Sequence, residues 1–143
     1  MSDDPAALRA LADRVEHEAP SRELDAEIAQ AIHPGSEWRP YSTRGRIKWL
    51  FASDGRTLVY GLDSLKRYTV SVDAAMTLMP DKLYWLLGKG RTRPDEPIYG
   101  AQAFRPGNDV TVGEAETDTS AAAALCAVAI RARAAMVEDN ADG

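Results

Sequence analysis

Two groups of residues have types and spacing that could hold a ligand. In Gly88-Lys89-Gly90-Arg91-Thr92-Arg93 three cations alternate with small residues, within a long segment, 88–97, that we expect to be a flexible loop. Such a loop could close over a phosphate, because Arg grips phosphate oxygens through paired hydrogen bonds. A second group of aromatic residues could stack a nucleobase; its members are Trp38, Tyr41, Trp49 and Tyr60. A solvated connection and ordinary core packing are the structural alternatives.

A helix start supplies a third element of this candidate site. Ser71 has the type and position of an N-cap, and the first backbone amides of a helix attract anions. The ligand class that these features indicate is a small, nucleotide-like anion. The predicted ligand-binding residues are Lys89, Arg91, Arg93, Ser71, Trp38 and Tyr41.

The usual signs of catalysis are scarce. His17 and His33 are the two histidines, and no cysteine pair has the spacing of a zinc site. Cys126 lies in an alanine-rich helical pattern, where a small buried core residue is expected. Glu114 and Glu116 would share one face of a strand, either as paired catalytic carboxylates or as a solvent-facing edge. We therefore predict a non-enzymatic protein without catalytic residues, metal or cofactor.

Length and composition predict one domain over residues 1–143, with frayed ends at 1–4 and 138–143. A single cysteine suits a reducing compartment. No signal peptide is recognised, and no apolar run approaches the about 20 residues that span a membrane. The expectation is a cytoplasmic protein that does not bind membranes.

The net charge of −5 is unevenly distributed. Residues 36–106 carry twelve Lys and Arg against seven Asp and Glu, so a basic middle lies between acidic flanks. The overall acidity argues against general nucleic-acid binding. The basic middle still allows a local anion site, and charge balance between packed elements is the alternative.

The first two thirds of the chain give clear element signals. Asp4-Pro5 and Ser21 should cap two helices that form a hairpin. Between 47 and 62, Ser53-Asp54-Gly55-Arg56 predicts a hairpin with a two-residue turn, because Asp-Gly tolerates positive φ. The expected cross-strand pairs lie on one face and are Phe51 with Leu58, Trp49 with Tyr60 and Ile47 with Leu62. The N-terminal helices or a second copy of the chain, as a homodimer, should cover that face.

The run Tyr68–Trp85 is the expected organising joint, in which a short helix ends at Pro80 and the next strand buries Trp85. Two more strands precede an alanine-rich helix that should end near Val137 and bury one stripe; the stripe is Leu125, Val128, Ala132 and Met136. This order predicts an α+β protein, an α/β/α sandwich on an antiparallel or mixed sheet of about five strands. A two-layer α+β arrangement is the alternative.

Three stretches together resemble one family of small bacteriophage and prophage proteins, the phage ABA sandwich domain. They are Ser21–Ile28, Tyr68–Pro80, and Gly113–Ala115 with Ala124–Arg133. The chain departs from the family in its longer 47–62 and 88–97 segments, and in Thr117–Ser120 where the family tends to carry Thr-Pro. The resemblance implies a phage origin, location in the host cytoplasm and an α/β/α fold, but it carries no activity or site residues.

Two functions are therefore the alternatives that the sequence suggests. One is a binding protein that counters host defence by sequestering a nucleotide-type signal or by capping a host protein. The other is a structural or assembly accessory of the virion. The basic and aromatic residues in the segments that depart from the family favour the first.

Overall fold

The computed structural model describes residues 4–40, 47–93, 96–107 and 110–142, with the backbone alone for 91–93, 96–97 and 140–142. Over these ranges the chain is α+β, as predicted, with one 3-10 helix at Leu62–Ser64. The α-helices are α1 (Pro5–His17), α2 (Arg22–Ala31), α3 (Val72–Met76) and α4 (Ala121–Asp142). The strands are β1 (Glu37–Pro40), β2 (Lys48–Phe51), β3 (Thr57–Val59), β4 (Tyr84–Arg93), β5 (Glu96–Phe104) and β6 (Thr111–Thr117).

The helix caps lie where the sequence predicts them. The carboxylate of Asp4 accepts a hydrogen bond from the N–H of Ala6 at 3.0 Å, and the hydroxyl of Ser21 accepts one from Leu24 at 3.1 Å. Ser71 likewise accepts from the N–H of Ala74 at 3.2 Å. Each bond satisfies a first-turn N–H that the helix itself leaves unpaired, so the caps fix where α1, α2 and α3 begin.

Helix α4, and not the Tyr68–Trp85 joint, lies at the centre of the fold. Every residue from 122 to 130 is buried, so the helix is covered on all sides and not along one stripe. It packs against α1, α3 and the strands β5 and β6. Its alanines make this possible because their small side chains let several neighbours approach the helix axis. Met136, expected in the stripe, is 38% exposed, and the helix passes Val137 to reach Asp142.

The described strands form two three-stranded antiparallel sheets, β1-β2-β3 and β4-β5-β6, where the sequence predicted a single sheet of about five. There are two reasons for the difference. The β1 segment, expected to be a loop, pairs with β2 from Trp38 opposite Leu50 to Pro40 opposite Lys48. In addition, the 3-10 helix and α3 lie between β3 and β4 in the chain. The β2–β3 hairpin and the later strands therefore belong to separate sheets.

The buried face of the β4-β5-β6 sheet packs on α4 through very small residues, which are Ala101, Ala103, Gly113 and Ala115. Gly113 makes the closest approach, since a Cβ placed there would lie 2.8 Å from the carbonyl oxygen of Val128. The opposite face is exposed at Gln102, Glu114 and Glu116. Within the described residues α4 packs on one face of this sheet, and the α/β/α sandwich and the two-layer arrangement both stay predictions.

The register of the β2–β3 hairpin is confirmed in part. Leu50 lies opposite Val59, which is the register that the sequence predicts. The register then shifts, and Phe51 lies opposite Thr57 instead of Leu58. Trp49 and Tyr60 are neighbours as expected, with ring centroids 5.1 Å apart in an edge-to-face arrangement.

The turn of this hairpin causes the shift. The N–H of Ala52 donates to the carbonyl of Arg56 at 2.8 Å, and the N–H of Gly55 donates to the carbonyl of Ala52 at 2.9 Å. These bonds enclose a three-residue loop that ends at Gly55, which has φ +87°. The two-residue turn was therefore wrong, because Asp54-Gly55 forms a turn followed by a glycine bulge, the other common hairpin closure.

The large apolar face predicted for this hairpin is not the face that enters the core. Leu50, on the opposite face, is fully buried, whereas Ile47, Tyr60 and Leu62 are 56%, 62% and 50% exposed. Successive side chains of a strand point to opposite faces, and the core contacts the face that carries Leu50. The side chains on the other face, which we expected to be covered, are therefore largely exposed. The homodimer that we expected through this face stays a prediction.

Candidate functional site

The predicted ligand-binding residues that the structure describes lie in three parts of the molecule. Lys89, Arg91 and Arg93 belong to β4, in the larger sheet, whereas Trp38 belongs to β1, in the smaller one. Ser71 begins α3. Tyr41 lies outside the described residues, as do the side chains of Arg91 and Arg93. Only the three basic positions are thus brought together by the structure, along one strand.

The described part of the 88–97 segment, residues 88–93 and 96–97, forms strands where a flexible loop was expected. Its residues continue β4 and β5 as a two-stranded ribbon, with Gly90 opposite Ile98 and Arg91 opposite Pro97. Strand β6 pairs with β5 only from Tyr99 onward, so the ribbon extends past the third strand. We define residues 89–93 and 96–98 as the basic arm. The glycines indicated a loop, but a continuous backbone ladder overrides the weak local preference of glycine.

The backbone register places one acidic residue opposite the cations of the described basic arm. Arg93 lies opposite Glu96, whereas Arg91 lies opposite Pro97 and Lys89 opposite Tyr99. The exposed Lys89 Nζ lies 5.9 Å from the centre of the Tyr99 ring, within reach of a cation–π contact. Lys89 and Arg91 are thus the two cations on β4 that have no carboxylate directly across the ribbon.

The other described candidates are engaged in structural contacts. The indole N–H of Trp38 donates to the carbonyl of Ala26 at 3.0 Å, which holds β1 against α2. The Ser71 hydroxyl is used as the cap of α3, a helix of only five residues. For these two residues the structural alternative is therefore the better description.

A cleft of about 960 Å³ lies beside β6 and α1 and extends over the exposed face of the sheet to Gly100 of β5 and Leu86 of β4. Its charged residues pair with one another: Arg131 contacts Asp13 at 2.7 Å and Glu16 at 2.5 Å, and Arg9 pairs with Glu138. Glu114 and Glu116 lie exposed at the same cleft. Because acidic groups are abundant and the arginines are neutralised, the cleft does not favour an anion.

A buried polar cluster joins the three stretches that carry the family resemblance, and sequence reasoning missed it. The carboxylate of Asp25, 1% exposed, accepts hydrogen bonds from the N–H and hydroxyl of Thr69 at 2.9 and 2.8 Å and from Arg22 at 2.8 Å. The Ser120 hydroxyl donates to the carbonyl of Thr69 at 2.8 Å. A signal was present, since Asp25 interrupts the apolar spacing of α2.

The same cluster engages the one cysteine. The Cys126 thiol is fully buried and donates to the carbonyl of Tyr68 at 2.8 Å. Burial, and then the nearby Asp25 carboxylate, raise the pKa of this thiol well above its usual range. A thiol held in its neutral form is a poor nucleophile.

We therefore expect native protein to resist alkylation by iodoacetamide, because Cys126 becomes accessible only when α4 separates from its neighbours. The alkylation rate, followed by mass spectrometry, should rise in step with the unfolded fraction as urea is added. Rapid modification in the absence of denaturant, at the rate of a free cysteine peptide, would contradict this burial.

Two further features concern the residues that the structure describes. No group of three or more His, Cys, Asp or Glu side chains there could hold a metal ion. None of the described helices is both long and apolar enough to cross a membrane. Comparison with protein-family models, with characterised proteins and with solved structures found no match for this chain.

Proposed function

We propose that the protein is a non-enzymatic binding protein that caps a host protein through the basic arm, and that it counters host defence in the phage setting implied by the resemblance. The observation that carries the proposal is the projection of the β4–β5 ribbon past β6, with Lys89 and Arg91 unbalanced by carboxylates across it. A ribbon of this kind presents main chain and positive charge to a surface.

Of the two modes expected from the sequence, capping has the better support. Sequestering a nucleotide needs a concave site in which phosphate and base contacts converge. The residues predicted for those contacts lie in different sheets, and the indole N–H of Trp38 is already bonded to Ala26. A surface contact needs no such convergence, and Tyr84 and Leu86, 65% and 64% exposed, add apolar area on the same strand, on the sheet face opposite to that of Lys89.

Site-specific photo-cross-linking tests the proposal. Tyr84 is replaced by a photo-reactive phenylalanine analogue in the chain expressed in bacteria, and adducts are identified by mass spectrometry. One dominant protein adduct is expected, and it should be lost when Lys89→Glu and Arg91→Glu are introduced together. A dominant adduct with a virion protein would instead support the structural accessory.

The matched control is Lys66→Glu with Arg67→Glu, an equal charge change at two exposed residues away from β4. This control should keep the adduct. Equal loss in both double variants would show that net charge, and not the basic arm, governs the contact, and would contradict the proposal.

A further inference from the structure

We propose that the exposed edge of β4 binds an extended acidic segment of the partner as a fourth strand of the larger sheet. This inference rests on the proposed function and adds to it the chemistry of the partner and the mode of binding. Strand addition gives affinity through main-chain hydrogen bonds and selectivity through alternate side chains.

The two edges of the larger sheet differ. Along β6, the Glu16 carboxylate accepts a hydrogen bond from the N–H of Glu116 at 3.1 Å, and Arg131 donates to the carbonyl of Glu114 at 2.7 Å. Side chains of α1 and α4 thus occupy the outward main-chain groups of β6. A further strand cannot pair there without displacing them, so this edge is closed.

The hydrogen bonds at the β6 edge also determine which residues of each strand have main-chain groups that point outward. In an antiparallel strand the N–H and C=O of one residue point to the same side, and successive residues alternate. The main-chain groups of Glu114 and Glu116 point outward, so those of Ala115 point inward. Ala115 therefore bonds with Ala101 of β5, which lies directly opposite. Ala101 therefore faces β6, and its neighbours in β5 face β4.

The same alternation then applies across β5. Gly100 and Gln102 face β4, where they lie opposite Gly88 and Leu86 without any register shift. Leu86 and Gly88 consequently bond with β5. The residues of β4 whose main-chain groups point away from the sheet are Trp85, Leu87 and Lys89.

The β4 edge is open in the part of the chain that the structure describes. No hydrogen bond joins the outward main-chain groups of these three residues to another element there. The strand is 10 residues long, and its pairing with β5 is regular from Tyr84 to Arg91. An edge of this length is a template for another strand unless charge excludes it.

The charge of β4 indicates which kind of strand can pair with its edge. Residues 84–93 carry three cations and no carboxylate. Pairing with the β4 of a second copy would bring like charges together, which is unfavourable, whereas a strand with carboxylates facing Lys89 and Arg91 is attracted. Tyr84 and Leu86 lie at the start of β4, so an antiparallel occupant would be acidic in its N-terminal half and apolar in its C-terminal half.

Amide hydrogen exchange of the protein, measured with and without a synthetic peptide, tests the mode of binding. The peptide is as long as β4, with acidic residues in its N-terminal half and alternate valines in its C-terminal half. At about 100 times the dissociation constant, exchange of the amides of Trp85, Leu87 and Lys89 should slow about a hundredfold. Leu86 and Gly88, already bonded to β5, should not change. If exchange slows equally at all five amides, or at none, the inference is overturned. If exchange at the three outward amides slows with rising protein concentration in the absence of peptide, the edge binds a second copy instead.

Two chemical controls complete the test. Lys89→Pro removes the outward N–H together with the charge, whereas Lys89→Ala removes the charge alone; proline at an outward position leaves the β4–β5 ladder intact. Peptide binding by the proline variant should be at least about tenfold weaker than by the alanine variant, the effect of roughly one hydrogen bond. A peptide with N-methylated alternate amides, which leaves the protein unaltered, should bind as weakly. If both controls bind as well as their references while the photo-adduct still requires Lys89 and Arg91, strand addition fails and the proposed function stands.

Discussion

Asp25→Ala is expected to lower the free energy of unfolding by about 2–4 kcal/mol, because it removes the buried acceptor of three hydrogen bonds. The Asp25 carboxylate is 1% exposed and accepts three hydrogen bonds, two from Thr69 and one from Arg22. Without it, the N–H of Thr69 stays in the core unpaired, and the Thr69 hydroxyl keeps only the longer bond to the Ser21 carbonyl at 3.5 Å. Arg22, whose side chain is 33% exposed, keeps only main-chain acceptors. Urea unfolding followed by tryptophan fluorescence measures the change.

Asp63→Ala is the matched control, because Asp63 is exposed and its truncation should change the free energy of unfolding by less than about 0.5 kcal/mol. A double-mutant cycle of Asp25→Asn with Thr69→Val should show coupling between the two side chains. An Asp25→Ala variant with the urea midpoint of the parent would mean that water enters this site and that the cluster is not a buried anchor.

Gly113→Ala is the second large effect, expected to cost about 1–3 kcal/mol or more through overpacking. A Cβ at Gly113 would lie 2.8 Å from the carbonyl oxygen of Val128 and 3.3 Å from the nitrogen of Ala132. Both are main-chain atoms of α4 and cannot turn aside as a side chain could, so β6 and α4 must separate. The urea midpoint and the melting temperature should both fall.

Gly100→Ala provides the comparison on the neighbouring strand. The nearest atom to a Cβ there is the carbonyl oxygen of Ala115 at 3.9 Å, which is ordinary contact. Because alanine lowers the backbone entropy of the unfolded chain, this variant should match the parent or exceed it slightly. If both glycine variants unfold at the same midpoint, close packing of β6 on α4 does not limit stability.

Local signals in the sequence were sufficient for the helix caps. Asp4, Ser21 and Ser71 are short-range features, since each cap bonds within three residues. Leu50 lies opposite Val59 as predicted, but only because the register shift between Leu50 and Phe51 offsets the extra residue of the turn. The position of α4 was not accessible in the same way. An alanine-rich helix has no strong apolar side, so its sequence does not say how many neighbours cover it.

The candidate site shows the same limit. The three basic residues lie on one strand, β4, which Gly88 and Gly90 made look like a loop in the sequence. The difference between the two sheet edges could not be predicted, because Glu16 and Arg131 reach β6 from helices that are distant along the chain. Trp85 was expected to be buried and is only half-buried, because it lies on an edge strand with no neighbour on one side.

The central place of α4 also determines when the domain can fold during synthesis. Contacts such as Arg131 with Asp13 join residues 118 positions apart, and α4 follows every other described element in the chain. While the ribosome is still making β6, the apolar sides of α1 and α2 have no core to enter. The nascent chain must therefore wait for its last helix, and until then Leu8, Val15 and Ile28 are exposed to chaperones and proteases.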